Sequence, residues 1–202
     1  MQIYVIAGFE EKASSLPEEI LLYSKGDEVI RKEYPFFPKD ATEHYYAFPA
    51  LAIRIGKLGK EVAPRFAARY IVKIGVGLDI IAFQALQKAQ KSGTPWEEAV
   101  SFQDAVGLSL EGGDFGEDFK DFYTVSFSFK DGEGKGEMTI SGKLIATAVS
   151  KLSYYRKIRQ GDLLLLHPSS PLTPSKNTAL LLEREKDVVV IHTPTTYCLK
   201  IR

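Results

Sequence analysis

An α+β fold, rich in β-strand and carrying a few helices, follows from three features of this 202-residue chain. Short apolar or alternating segments typical of strands outnumber segments of helical period. Most strand candidates are joined by short turn signals, which favours antiparallel neighbours. Strands and helices also do not alternate regularly, as a parallel α/β sheet would require. There is no internal repeat and no linker-like stretch, so residues 1–202 are expected to form a single domain.

Composition narrows the function classes. Hydrophobic residues make up 45% of the chain, enough for a packed core without staples. Acidic and basic residues number 26 each, so the basic surplus usual in nucleic-acid binders is missing. The single cysteine, Cys198, permits no intrachain disulfide and suits a reducing compartment. No apolar run approaches the ~20 residues needed to span a bilayer. A cytoplasmic protein with no nucleic-acid and no membrane partner is expected.

Taken in order, residues 1–8 (MQIYVIAG) read as a first strand ending at Gly8, without the basic start or cleavage site of a signal peptide. Residues 10–19 are polar and suit a loop or short helix. Residues 20–24 (ILLYS) form a second strand, closed by the turn Lys25-Gly26-Asp27. Residues 34–46 hold two prolines and several aromatics and suit an irregular surface segment. Residues 50–55 (ALAIRI) form a strand with Leu51, Ile53 and Ile55 on one face.

Residues 63–74 show Phe66, Tyr70 and Ile74 at helical spacing, with Pro64 in a first turn. Residues 80–93 repeat that period and stop at Gly93. The second half is richer in strand. Residues 122–130 alternate strictly, with Val125, Phe127 and Phe129 together, and return through a turn into residues 137–140. Residues 142–155 are helical, with Leu144, Ile145, Ala148 and Leu152 inward. Residues 163–167 (LLLLH) form a strand leading into a Pro/Ser-rich loop. Residues 178–185 and 188–193 suggest a hairpin about Lys186-Asp187, and residues 197–201 a last strand.

Several residues have plain structural readings. Cys198 suits a small buried hydrophobe. His44 and His192 have no partner visible in the sequence. Trp96 suits a packing anchor, and the cluster Tyr154, Tyr155, Arg156, Lys157 and Arg159 a solvated helix end. Gly-Glu-Gly-Lys-Gly, within residues 132–136, lacks the Gly-Lys-Ser/Thr ending of a phosphate loop. Asp79 precedes a helical pattern and suits an N-cap.

The segments LAIRIGKLGKEV, FAARYIVKIGVGLD and PWEEAVSF, followed by LIATAVS and GDLLLLHPSSP, resemble the fumarylacetoacetate hydrolase family. The resemblance runs from about Ile20 to Ile201 and is nearest to a short, single-domain bacterial branch. It implies a mixed β-roll with a few helices, usually a homodimer. It also implies Mg²⁺ or Mn²⁺ held by two Glu and one Asp, and the cleavage, decarboxylation or tautomerisation of 2-oxo acids. Such a hard cation takes oxygen ligands and acts as a Lewis acid on the oxo-acid end.

On that resemblance the metal aspartate falls on Asp79, but the two glutamates fall on Phe48 and Ala50. A family Ala-Arg-Asp falls on Ala82, Phe83 and Gln84. The family lysine falls on Val100, and a further Asp on Gln103. The substrate-touching Gly-Thr-Pro falls on His167, Pro168 and Ser169, and the lid His–Glu pair has no counterpart. Lys25 matches the family's Lys-Pro, with Gly26 in place of the proline.

The pocket candidates are therefore Lys25, His167 and Ser169, with Asp79 as the remnant metal position. The first expectation is a diverged member that binds a small molecule, such as an oxo acid, or a partner, with no cofactor. The second is a Mg- or Mn-dependent hydrolase, decarboxylase or tautomerase, recruiting Glu43, His44 or His167 as replacement ligands.

Overall fold

The computed structural model describes residues 1–26, 29–30, 34–40, 42–175 and 178–202. Asp27 of the expected turn, Ala41, and Lys176 and Asn177 of the Pro/Ser-rich loop lie outside the described residues. In chain order the strands are β1 (Ile3–Ala7), β2 (Leu21–Lys25), β3 (Tyr45–Ile55), β4 (Ile71–Ala82), β5 (Val106–Ser109), β6 (Phe122–Phe129), β7 (Gly136–Ser141), β8 (Leu163–His167), β9 (Leu180–Leu181), β10 (Val188–His192) and β11 (Thr195–Leu199). The helices are α1 (Phe83–Ser92), α2 (Glu97–Val100) and α3 (Gly142–Tyr155), with a 3-10 helix at Pro64–Tyr70. The fold is mixed α+β and strand-rich, as its patterning predicts.

One sheet runs β2-β1-β8-β3-β4-β5, with β9 added to β3, and a second runs β11-β10-β6-β7. Among the described residues the pairings between these strands are antiparallel except β1 with β8. The long central strand β3 is buried on both faces. Leu51, Ile53 and Ile55 join the main core with Val125, Phe127 and Phe129 of the second sheet. Ala50 and Ala52 face the other way, against Ile3, Val5, Leu163 and Leu165. Pro49 sits between the rungs that β3 makes with β9 and with β8, so its missing N–H removes no rung on that side.

Helix α3 matches its predicted span. Ser141 Oγ accepts from the Leu144 N–H at 3.1 Å and donates to Ala13 O, capping the helix and fixing the N-terminal loop. Leu144, Ile145, Ala148 and Leu152 are fully buried. Ser153 Oγ accepts from the Val62 N–H at 2.8 Å, tying the helix to the segment before the 3-10 helix. Asp162 accepts from the backbone N–H groups of Gln2 and Arg159, which fixes the turn into β8 beside β1.

Three expectations are corrected. The helical spacing through residues 63–74 and 80–82 misleads, because residues 71–82 form β4. That strand is β-branched and apolar on both faces, so it has no period-two alternation to announce it. Its Gly75 is obligatory, since a Cβ there would lie 2.3 Å from Ser109 O. The hairpin expected within residues 178–193 does not form. β9 is two residues long and extends β3, and the hairpin is β10 with β11. Cys198 is exposed rather than buried, because Tyr197 and Leu199 take the inward positions of β11.

Candidate functional site

The register between β3 and β4 builds the site. Phe48 lies opposite Asp79, and Ala50 opposite Gly77. The positions that align with the family's ligands therefore share one face of the sheet, as metal binding would require. The strand YYAFPALAIRI contains no Asp or Glu at any position, so a slip of register brings no carboxylate in.

Asp79 is not a helix N-cap. It lies inside β4, fully buried, and its carboxylate is the centre of a polar cluster. Lys25 Nζ approaches Oδ1 to 2.5 Å, with the two side chains 1% and 0% exposed. That approach is a buried ion pair. The ammonium donates its hydrogen bonds to Ile80 O at 2.7 Å and Ala105 O at 3.1 Å. On Oδ2, the Tyr23 hydroxyl donates at 2.5 Å and His167 Nε2–H at 3.2 Å. Phe48 stacks on the His167 ring, with centroids 5.2 Å apart and planes at 21°. His167 Nδ1 is buried with no partner among the described residues.

Electrostatics follow from this packing. Burial pushes the Asp79 carboxyl upward, but the Lys25 ammonium and the His167 hydrogen bond outweigh it and hold it down at about 2. Burial lowers Lys25 below the ordinary lysine value, partly offset by Asp79. Burial, reinforced by the Asp79 charge, raises the Tyr23 phenol well above its usual range, so Tyr23 stays a donor.

Around this cluster the surroundings are apolar. Phe48 packs with Ile81, Leu86, Ala99, Val100 and Ala179, joined at the edge by Tyr23 and Trp96. Val100, where the family lysine falls, is 4% exposed. Beside it lies a cleft of about 570 Å³ whose lining includes Tyr23, Val100, Tyr4, Trp96, Tyr155 and Arg156.

Of the residues singled out in the sequence, Lys25, Asp79 and His167 converge. Ser169 does not join them and donates to Thr178 O at 3.0 Å. Glu43 does not turn toward Asp79, because its carboxylate accepts the Gln84 and Ala85 backbone N–H groups at 2.7 and 3.0 Å and caps α1. The His44 carbonyl accepts from the Phe83 N–H at 2.9 Å. His192 Nδ1–H donates to Thr124 O at 2.7 Å, away from the cluster. Tyr23 was missed by sequence reasoning. The signal lay in strand period, since residues 23 and 25 of β2 share a face. Among the described residues, no group of three or more His, Cys, Asp or Glu side chains is placed to hold a metal ion.

Comparison with known proteins defines the class. No family model matches the chain. The chain is 25% identical over 162 residues to the oxaloacetate tautomerase YcgM of Escherichia coli (strain K12), covering 77% of this chain and 73% of that protein. It superposes on a fumarylpyruvate hydrolase from Pseudomonas aeruginosa, solved with Mn²⁺ and pyruvate, at a TM-score of 0.77 and 17% identity. That match covers 100% of this chain and 89% of the other. A 5-carboxymethyl-2-hydroxymuconate delta-isomerase from Mycobacterium smegmatis matches at 0.76 and 20%, covering 99% and 76%. A protein described as of the fumarylacetoacetate hydrolase family, from Yersinia pestis CO92, matches at 0.76 and 20%, covering 100% and 92%, so the chain has that family's fold. The family resemblance carried by its sequence stands, among relatives named as hydrolases, isomerases and tautomerases.

Proposed function

We propose that this chain is a diverged protein of the fumarylacetoacetate hydrolase fold that works without a divalent cation and binds a small molecule in the cleft beside Tyr23. The observation that carries this reading is Lys25. Its ammonium stands 2.5 Å from Asp79 Oδ1 in the closed core, on the carboxylate where the family's cation would bind. Tyr23 and His167 take Oδ2, and Phe48 and Ala50 offer no oxygen. This donor set does not fit Mg²⁺ or Mn²⁺, which need several oxygens and repel a neighbouring ammonium. The homodimer implied by the resemblance belongs to the same proposal, with light scattering expected to give twice the chain mass.

Isothermal titration with Mn²⁺ and with Mg²⁺ tests the reading. No site tighter than millimolar is expected, and a micromolar site overturns it.

A second reading is supported by the tautomerase relative. In it the chain is a divalent-metal-dependent hydrolase, decarboxylase or tautomerase of acylpyruvates or other 2-oxo acids. It requires Lys25 to leave Asp79. Turnover of oxaloacetate or an acylpyruvate that vanishes both with chelator and in Asp79→Ala supports it. Turnover that survives chelator rejects it.

A further inference from the structure

We infer that the cleft between β2, the residues before α2 and the end of α3 binds a planar aromatic monocarboxylate, with Arg156 holding the carboxylate. The inference rests on the proposed function in one respect, that Tyr23 remains bound to Asp79 and no cation enters beneath it.

The cleft, about 570 Å³, is the size of a small-ligand site. Its walls carry Tyr4, Tyr23, Trp96 and Tyr155, four aromatic rings about one opening. Such rings favour a flat partner through offset or edge contacts. Val100 and Leu22 also line it and offer hydrocarbon. The Tyr23 hydroxyl is bound to Asp79, so Tyr23 offers the cleft its ring and no free donor. Apart from the small Ser24 hydroxyl, these groups meet the body of an occupant with rings and hydrocarbon.

The polar end is set by Arg156. The helix cap places it, since its N–H bonds Leu152 O at 2.8 Å and the chain leaves α3 extended. Its side chain is exposed and makes no ion pair or hydrogen bond with the described residues. An exposed guanidinium without a partner among the described residues, lining an aromatic cleft, matches a carboxylate in planar, two-pronged geometry. Glu97 lines the same cleft and disfavours a second negative group. One carboxylate, directed outward on an aromatic body, satisfies all of these surfaces.

The chain holds a single tryptophan, Trp96, so its one indole N–H resonance reports on the cleft directly. The ¹⁵N-labelled full chain is titrated with trans-cinnamate and with uncharged cinnamamide, in EDTA and again in excess Mn²⁺. The expected result is a saturable shift of the indole peak by cinnamate in EDTA. Affinity should fall about tenfold or more with cinnamamide, and equally in Arg156→Gln, for loss of a charge-assisted contact. Equal affinity for the amide, or an unchanged Arg156→Gln, overturns the assignment. No shift in either buffer overturns this inference alone. A shift that appears only with Mn²⁺ overturns the metal-independent reading together with it.

Discussion

Lys25 and Asp79 are stable in the core only as a pair. Removing one partner from a buried ion pair leaves the other charge without compensation, at about 3–5 kcal/mol. Lys25→Met should therefore lower unfolding stability by about 3 kcal/mol or more in urea titration. Adding Asp79→Asn should recover the part of that loss due to the unpaired charge, because a neutral amide still meets Tyr23 and His167, while the Ile80 and Ala105 carbonyls stay without Lys25. Failure of the double variant to recover would show that the loss comes from the hydrogen bonds to Ile80 O and Ala105 O and not from the unpaired Asp79 charge. The acid limb carries the same information. Asp79 is depressed from 3.8 to about 2, so its contribution is complete above about pH 4 and disappears as pH falls toward 2. Wild type should lose stability through that window, and the double variant should show a shallower slope.

At the scale of elements, α1 shows how a long-range contact replaces a local signal. Its N-cap position is Ala82, which offers no side-chain acceptor. Glu43, from the segment before β3, supplies both oxygens to the first-turn N–H groups and adds a negative charge at the positive end of the helix. Glu43→Ala should cost about 1 kcal/mol, a melting temperature about 2–4 °C lower. It should leave binding at the Tyr23 cleft unaltered, and a loss of binding would contradict the capping role. The elements legible in the sequence were those whose signals are local. The alternation of β6, the return strand β7, the apolar stripe of α3 and the αL Gly93 at the end of α1 all read correctly. β4 and β9 did not, because a strand buried on both faces has no alternation, and a two-residue strand exists only through its neighbour. The convergence of Lys25, Asp79 and His167 was legible only as separate candidates. Their meeting depends on the order β2-β1-β8-β3-β4, which no single segment specifies.

For the whole molecule, the question of a cation becomes one of linkage. A ligand that binds only the folded state raises stability by RT ln(1 + [L]/Kd), about 2.7 kcal/mol at a hundredfold excess over Kd. In a chain of this length that amounts to a melting temperature higher by about 5–10 °C. The site in question lies on β4, one strand in from the β5 edge of the large sheet, where β4 joins β3 to β5, so a cation there would brace these strands. Here that bracing comes from within, as Lys25 reaches from β2 to carbonyls at Ile80 and Ala105 as well as to Asp79. The sheet is already cross-linked by an internal cation, and a second positive charge has no carboxylate left to meet. Thermal unfolding in EDTA and in millimolar Mn²⁺ should therefore coincide. A chelator-reversible rise of several degrees would mean that Lys25 yields its place on Asp79 to the metal, and the enzymatic reading would then take precedence.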